Sequence, residues 1–219
     1  MKKAIVFDLD GTLLNTLEDL CDSTNYALRK CGFPKRSLNE VRRFVGNGIR
    51  KLIERAVPET AGEPEITECY GIFCEHYKGN MENKTAEYDG ITEMLGALYE
   101  AGYKMAIVTN KADFAAQALC RRLFGNYIHT VVGSVDTRPN KPAPDGVYYA
   151  LAQMGAEKSE AVFVGDSEVD ILTAKNAGID AVGVLWGFRD LSDLQNAGVK
   201  ITAKDTKELK NLLLSLKNG

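Results

Sequence analysis

The sequence predicts an α/β fold, in which a Rossmann-like parallel sheet core carries an inserted all-helical domain. From residue 88 onward, short apolar strand patterns alternate with amphipathic helical patterns, and such alternation builds parallel sheets from β-α-β units. Residues 16–84, by contrast, carry helical patterns only and follow one short apolar strand at residues 4–6. The helical block therefore interrupts an α/β domain just after its first strand.

The inserted block contains successive amphipathic helices. Apolar residues recur at helical spacing over residues 17–31, 37–44, 49–56 and 66–79. Ser37 and Glu40 have the spacing of a capping box and mark one helix start. Gly46-Asn47-Gly48 interrupts the pattern after that helix.

An insertion at this point of the chain lies above the ends of the strands. It is either an extra packing layer or a lid over a site built there, and its position beside the acidic end of the first strand favours the lid. We therefore predict a catalytic core of residues 1–15 and 85–219 and a helical cap of residues 16–84.

The second half of the chain supplies the rest of the sheet and the helices that cover it. Strands are predicted at residues 104–108, 130–132, 161–164 and 181–184. Helices are predicted at residues 91–98, 114–124, 147–154, 171–177, 191–196 and 209–216. Because ligands of open α/β sheets bind at the carboxyl ends of the strands, the residues that follow each strand are candidate site residues.

Polar residues of complementary kinds follow these strands. They are Asp8-Leu9-Asp10-Gly11-Thr12, Thr109-Asn110-Lys111, Gly133-Ser134 and Gly165-Asp166-Ser167-Glu168-Val169-Asp170, with Lys141 in a proline-rich loop between the last two. Taken alone, the first stretch also fits a strand followed by a polar turn, since Asp-Gly is a turn signal. The later segments favour a cluster of carboxylates, hydroxyls and one lysine at a single edge of the sheet.

The acidic members of this cluster suit a magnesium ion. Mg²⁺ prefers oxygen ligands, keeps several waters and is usually held by one or two carboxylates together with a substrate phosphate. Asp8 and Asp166 are the best candidate ligands. Asp170 follows Asp166 by one helical turn, so it either supports the site and orients Lys141 or lies on the surface of the helix.

Composition excludes several other classes of function. The chain has 27 basic and 30 acidic residues and a net charge of -3, without a basic stripe, so we predict no nucleic-acid partner. Five cysteines without a C-x-x-C pair and two histidines indicate neither a disulfide framework nor a zinc site. The first apolar run is too short for a signal peptide and no stretch approaches a membrane span, so we predict a cytoplasmic protein without a membrane partner.

The polar segments resemble the four ordered motifs of the haloacid dehalogenase-like hydrolase superfamily. The motifs are matched by Asp8-Leu9-Asp10-Gly11-Thr12, Thr109, Lys141 and Gly165-Asp166-Ser167-Glu168-Val169-Asp170. All four occur in the expected order and at the ends of predicted strands, and the resemblance spans the whole chain. It implies the fold of that superfamily, with the inserted helices similar to its C1-type cap.

The resemblance implies a phosphatase that works through an aspartyl-phosphate. Asp8 would be the nucleophile, and Asp10 would protonate the leaving alcohol and then deprotonate the attacking water. Mg²⁺ would be held by the Asp8 carboxylate, the backbone carbonyl of Asp10 and Asp166.

Two further groups of residues take implied roles. Thr109, the backbone amide of Asn110 and Lys141 would bind the transferring phosphoryl oxygens. Asp170, Ser167 and Thr12 would hold these groups in position without contacting the substrate.

Two stretches indicate a subgroup. Asp10 argues against the haloacid dehalogenases themselves, which lack this acid and use no metal. Thr109-Asn110-Lys111 and Val45-Gly46-Asn47-Gly48 resemble phosphoglycolate phosphatases, which implies a small phosphorylated metabolite as the substrate.

The glycines of the cap stretch have a candidate role. Gly46 and Gly48 would let backbone amides approach an anionic substrate tail, and Asn47, Arg50 or Lys51 would add contacts. The same stretch also fits a simple helix break with solvated cations.

Other functions remain open at this point. A sugar phosphomutase similar to β-phosphoglucomutase is the main rival, followed by a phosphatase for pyrophosphate or nucleotides. A phosphate-binding protein without catalysis also fits, because fold does not fix function, but the presence of every motif residue disfavours it. We predict a monomer or a homodimer.

Overall fold

The computed structural model describes residues 1–217 of the 219-residue chain, and it confirms the predicted α/β fold with a helical insertion. In chain order, the elements are β1 (Ala4–Phe7), β2 (Leu14–Asn15), α1 (Leu17–Lys30), α2 (Leu38–Phe44), α3 (Ile49–Ala56), α4 (Glu63–Asn80), β3 (Ala86–Glu87), α5 (Ile91–Glu100), β4 (Lys104–Ala112), α6 (Asp113–Phe124), β5 (Thr130–Ser134), α7 (Asp145–Met154), β6 (Ala161–Gly165), α8 (Glu168–Ala177), β7 (Asp180–Val184), α9 (Leu191–Asn196), β8 (Ile201–Ala203) and α10 (Thr206–Leu216).

In the described part of the chain, six strands form one parallel sheet in the order β5-β4-β1-β6-β7-β8. Phe7 of β1 is in register with Ile107 of β4 on one side and with Val164 of β6 on the other. The polar residues that follow these three positions therefore reach the same edge of the sheet. The strand order thus places the acidic end of β1 between the two other motif-bearing strand ends.

Strand β1 is buried on both faces, which explains its uninterrupted apolar sequence. Ile5 and Phe7 pack into a large apolar cluster with α5, α6 and α10, whereas Ala4 and Val6 pack with α7 and α8. Successive side chains point to opposite faces of a sheet. Helices on both faces therefore hold the end of β1 rigidly.

Helices α1 to α4 enclose an apolar core of their own, which includes the fully buried Ile53 and Phe73. The predicted capping box begins α2, where the Glu40 amide donates to Ser37 Oγ at 3.3 Å and the Ser37 amide donates to Glu40 Oε2 at 2.8 Å. One member of this core, Phe188, comes from the segment after β7. The helical layer is therefore packed against the α/β part through Phe188, and the exact division of the chain into core and cap remains a prediction.

Two short strands at the base of the insertion were not predicted. In β2 and β3, Leu14 lies opposite Glu87 and Asn15 opposite Ala86. Two-residue strands show no period that a sequence pattern reveals. The pair of β2 and β3 joins the two connections between the helical layer and the sheet. The edge strand β8 was not predicted either, because its three residues are also too short to show a period.

Strand β4 is longer than predicted, because it continues past Val108 to Ala112. Its register against β5 shifts between these two residues, which is the behaviour of a β-bulge, and bulges redirect side chains next to active sites.

Among residues 1–217, no helix has both the length and the apolar character that crossing a membrane requires.

Candidate active site

The carboxylate of Asp8 lies directly after β1 and contacts Lys141. Its Oδ1 is 2.7 Å from the Lys141 ammonium, which is also 2.6 Å from Oδ1 of Asp170. All three side chains are buried. The lysine therefore bridges two acids that the sheet brings together from distant parts of the chain.

Asp170 is held by the start of its own helix. Its Oδ2 accepts hydrogen bonds from the backbone amide and the hydroxyl of Ser167, at 3.0 and 2.7 Å, in a capping-box arrangement. Gly165 leaves room for it, since a Cβ there would lie 2.3 Å from the Asp170 Cβ. The buried contact of Asp170 with Lys141 excludes the alternative of a surface residue.

Asp166 follows β6 and is closely surrounded. Thr12 Oγ1 donates to its Oδ1 at 3.2 Å, and the Phe188 amide donates to its Oδ2 at 2.7 Å. A Cβ added to Gly11 would lie 2.4 Å from this Oδ2, and a Cβ added to Gly187 would lie 2.5 Å from it, so both glycines leave room for the carboxylate. One carboxylate oxygen each from Asp8, Asp166 and Asp170 lies within 4.8 Å of the others.

Burial and mutual repulsion shift the ionisation of these groups. Burial and the neighbouring charge of Asp170 raise the pKa of Asp8 to about 7, and Lys141 offsets them only in part. Burial, with Asp170 and Asp8 as like charges, also raises the pKa of Asp166 well above its usual value. Burial disfavours the charged form of Lys141, but Asp170 and Asp8 outweigh it and raise the pKa of the lysine. The cluster carries more negative charge than its lysine balances.

A hard divalent cation fits this excess of oxygen and negative charge. Asp8 Oδ1 is buried and has no well-directed hydrogen-bond donor within residues 1–217, whereas both oxygens of Asp170 accept hydrogen bonds. Magnesium ions in proteins are commonly held by only one or two carboxylates. Asp8 and Asp166 are therefore the carboxylates that would hold such an ion, and Asp170 is left to position Lys141.

Added Mg²⁺ is expected to stabilise the metal-free protein more at high pH than at low pH. A carboxyl group whose pKa is raised by folding contributes stability below its unfolded pKa, and this stability is lost as the pH rises through the folded pKa, which is about 7 for Asp8. Without metal, the melting temperature should therefore fall as the pH rises toward 8, and Mg²⁺ should restore it. Thermal unfolding at about pH 5.5 and about pH 8, with EDTA or with Mg²⁺, measures this.

The control is Asp166→Asn, in which the rise in melting temperature with Mg²⁺ should be lost at both pH values. An equal rise at both pH values in the unmodified protein would contradict the assignment of the ion to these acids.

Gly187→Ala is expected to weaken metal binding and to destabilise the protein by about 1–3 kcal/mol, as overpacking does. Its Cβ would lie 2.5 Å from both Asp166 Oδ2 and the Gly11 carbonyl oxygen, so the carboxylate has to move. Urea unfolding and Mg²⁺ titration of the melting temperature measure the two effects. Gly71→Ala in α4 is the matched control, because nothing lies within 4 Å of its added Cβ and alanine favours helices by about 1 kcal/mol. Equal Mg²⁺ affinity in Gly187→Ala and the unmodified protein would show that the glycine has no role at the site.

Asp10, two residues after Asp8, has a different partner. Lys111 Nζ lies 3.0 and 3.3 Å from its carboxylate oxygens and donates to the Tyr77 hydroxyl at 2.6 Å. Lys111 and Tyr77 are buried, and Asp10 is partly exposed. The sequence indicated Lys111, because it belongs to the motif Thr109-Asn110-Lys111 at a strand end. Tyr77 could not be identified in this way, because it occupies an ordinary apolar position of an amphipathic helix.

The bulged end of β4 carries the remaining predicted phosphate ligands. The Thr109 side chain is buried, and its Oγ1 accepts from the Lys111 amide at 3.2 Å. The Asn110 amide group donates to the Lys141 carbonyl at 3.0 Å and accepts from the Lys141 amide at 2.8 Å. Asn110 also donates to the Gly46 carbonyl at 2.9 Å. Its side chain therefore fixes the Lys141 loop and contacts the cap.

A cavity of about 40 Å³ lies between the strand ends and the helical layer. The core residues that line it are Asp8, Asp10, Thr109, Asn110, Lys111 and Lys141. Gly46 and Gly48 also line it, both at positive φ of 119° and 86°, a region that glycine adopts readily. The structure thus brings most of the predicted site residues into one cavity.

The three cap side chains predicted to contact the substrate, Asn47, Arg50 and Lys51, do not line this cavity. The side-chain oxygen Oδ1 of Asn47 accepts from the Arg55 guanidinium at 2.8 Å. The Arg50 guanidinium pairs with Glu54 at 3.2 Å and with Glu63. These side chains interact within the helical layer and do not line the cavity.

Arg189 is a contact between the two layers that sequence reasoning missed. Its guanidinium donates to the carbonyl oxygens of Val45 at 2.6 Å and Arg42 at 2.9 Å, near the end of α2, and to Glu168 at 3.0 Å. The preceding Phe188 lies in the helical core and donates its amide to Asp166. No sequence pattern marks this segment, because its partners are distant in the chain.

Comparisons with known proteins agree with this geometry. A family model described as haloacid dehalogenase-like hydrolase matches residues 5–184. The chain is 36% identical over 190 residues to a phosphoglycolate phosphatase of Mesorhizobium japonicum, covering 85% of this chain and 84% of the relative. It is 32% identical over 223 residues to a phosphoglycolate phosphatase of Colwellia psychrerythraea, covering 99% and 97%. The crystal structure of a predicted phosphoglycolate phosphatase from Haemophilus somnus superposes with a TM-score of 0.89 at 31% identity, covering 97% and 98%.

Proposed function

Since the chain belongs to the haloacid dehalogenase-like hydrolase family and is a phosphatase, we propose that it hydrolyses a small phosphomonoester with Mg²⁺ through an aspartyl-phosphate on Asp8. The observation that carries the proposal is the contact of Asp8 with Lys141 in a cavity that also contains Asp10. This arrangement supplies a nucleophile, a cation for the phosphoryl oxygens and a proton carrier.

In the first step, an Asp8 oxygen attacks phosphorus and the bond from phosphorus to the ester oxygen breaks. Asp10 gives its proton to the ester oxygen, so that a neutral alcohol leaves. Lys141, Thr109 and the Asn110 amide bind the phosphoryl oxygens and stabilise the charge that develops on them.

In the second step, water attacks the phosphorus of the aspartyl-phosphate while Asp10 takes the proton of the water. The bond from phosphorus to Asp8 breaks, which releases phosphate and restores the carboxylate. When bound, Mg²⁺ held by Asp8, the Asp10 carbonyl and Asp166 supplies positive charge to the transferring group.

The substrate is proposed to be phosphoglycolate or a close analogue. The relatives at 32% and 36% identity are named phosphoglycolate phosphatases.

Phosphate release with Mg²⁺ over a panel of substrates tests the proposal. The panel contains phosphoglycolate, sugar phosphates, nucleotides and pyrophosphate, with Asp8→Asn as the background control. We expect the highest kcat/KM for phosphoglycolate.

The other outcomes separate the rival functions. A sugar phosphomutase would convert one sugar phosphate into its isomer with little free phosphate. A preference for pyrophosphate or a nucleotide would refute the proposed substrate and leave the proposed chemistry intact. Equal phosphate release by Asp8→Asn and the unmodified enzyme on every substrate would refute the chemistry.

A further inference from the structure

The cavity has two cationic side chains with different surroundings. Among the described residues that line it, Lys141 and Lys111 are the cations. Lys141 contacts Asp8, the proposed nucleophile, at 2.7 Å, so it lies where the phosphoryl group would react. Lys111 instead contacts Asp10, the group proposed to protonate the leaving alcohol, at 3.0 Å.

The wall that the helical layer contributes has no cationic side chain among the described residues. Leu20, Val45, Ile49 and Leu52 give it apolar surface, and Gly46 and Gly48 contribute backbone only. The cap cations predicted to meet a substrate tail are paired elsewhere, as Lys51 is with Glu54 at 2.6 Å. An anionic group on the leaving alcohol would therefore meet Lys111 before any cap cation.

The contacts of Lys111 leave it able to bind such a group. An ammonium has three N–H donors, and the acceptors at hydrogen-bond distance are Asp10 Oδ1 at 3.0 Å, Asp10 Oδ2 at 3.3 Å and the Tyr77 hydroxyl at 2.6 Å. Two of these acceptors belong to one carboxylate, and the donor that makes the longer of the two Asp10 contacts would turn to a carboxylate bound in the cavity.

The position of Lys111 selects the length of the substrate. Asp10 has to reach the ester oxygen in order to protonate it, and Lys111 Nζ lies 3.0 Å from Asp10 Oδ1. In an α-carboxylated phosphoester, one carbon separates the ester oxygen from the carboxylate. A carboxylate at that distance comes within reach of Lys111, whereas a longer chain would carry it toward the apolar wall.

We propose that Lys111, held by the Tyr77 hydroxyl, binds the carboxylate of an α-carboxylated phosphoester and makes the enzyme specific for it. This inference rests on the proposed function and names the residue that selects its substrate. Charge-assisted hydrogen bonds from a buried ammonium to a carboxylate are among the stronger polar contacts in proteins. The preference is therefore expected to be large enough to measure by kinetics.

The test compares two substrates of the same length, phosphoglycolate and 2-hydroxyethyl phosphate, which has a neutral alcohol in place of the carboxylate. The measured quantity is the ratio of their kcat/KM values. Lys111→Met is expected to slow both reactions, because Lys111 also contacts Asp10, and to lower the ratio by at least roughly 30-fold, mainly through KM for phosphoglycolate. Lys111→Arg should recover part of the ratio.

Two more variants keep the inference testable if Lys111→Met folds poorly. Tyr77→Phe is nearly isosteric and removes one acceptor of Lys111, so it should lower the ratio by about 3–10-fold. Lys104 lies in the same strand as Lys111 but is exposed, so the control variant Lys104→Met should leave the ratio unchanged.

The outcomes separate this inference from the proposed function. A ratio that stays unchanged in Lys111→Met and Tyr77→Phe, in an enzyme that prefers phosphoglycolate, would overturn the inference alone. If the unmodified enzyme prefers another α-carboxylated ester, such as 2-phosphoglycerate over glycerol 2-phosphate, and Lys111→Met removes this preference, the proposed substrate fails and the role of Lys111 in binding a carboxylate stands. No preference for a carboxylate in either pair would overturn both this inference and the proposed substrate.

Discussion

Asp8→Asn is expected to lower phosphate release by at least about 10⁴-fold, as the loss of a nucleophile does in other hydrolases. Asparagine keeps the shape of the side chain but does not form the aspartyl-phosphate. The substitution also removes one of the like charges that raise the pKa of Asp166, so the metal-free protein should not become less stable. Steady-state phosphate release and thermal unfolding of the same preparations measure both effects.

An acid quench during turnover provides an independent readout. The peptide that contains residue 8 should carry a phosphoryl group in the unmodified enzyme and none in Asp8→Asn. Asp136→Asn is the matched control, because Asp136 is exposed and does not line the cavity. A phosphorylated peptide elsewhere in the chain, with activity retained in Asp8→Asn, would assign the nucleophile to another residue.

Lys141→Met is expected to impair both stability and activity. Lys141 lies between Asp8 and Asp170, at 2.7 and 2.6 Å, and its removal leaves two buried acids facing each other. Loss of one partner of a buried ion pair destabilises proteins by about 3–5 kcal/mol, and loss of one group that stabilises transition-state charge lowers kcat by roughly 10²–10³-fold. Urea unfolding and initial rates measure the two effects.

The loss of stability in Lys141→Met should depend on pH and on Asp170. Because the pKa of Asp8 is about 7 even with Lys141 in place, protonation of Asp8 relieves the repulsion at lower pH, and the loss of stability should be larger at about pH 8 than at about pH 6. Adding Asp170→Asn should restore part of the stability but not the activity. Lys210→Met is the control, because its pair with Glu93 is exposed and such pairs contribute at most about 1 kcal/mol. A loss no larger than in this control would show that Lys141 does not hold the acids.

The residues to which we assign the chemistry could be predicted from the sequence because they follow strands. Asp8, Thr109 and Asp166 each come directly or nearly directly after an apolar run, and the carboxyl ends of parallel strands share one edge of a sheet. The alternation of strand and helix patterns implied that sheet. Lys141 was predicted by its place in the order of motifs, and its contacts with Asp8 and Asp170 give a physical reason for a lysine there.

The contacts of the helical layer could not be predicted in the same way. Asn47 and Arg50 lie in a stretch whose composition suits an anion, yet both pair within the layer. Lys111 and Tyr77 meet although 34 residues separate them in the chain. Such contacts depend on how the helices pack on the sheet, which local periodicity does not encode.

The sequence by itself therefore determined the fold class and indicated the groups that we propose to react, because strand periodicity and strand ends are local features of the chain. The tertiary structure decided which groups face one another across the cavity. It placed Lys141 between two acids, paired Asp10 with Lys111, and paired Arg50 with acids of the helical layer. The physical reason is that the position of a charge relative to a substrate depends on packing between distant segments, so the reaction can be inferred from the chain, whereas the choice of substrate requires the folded protein.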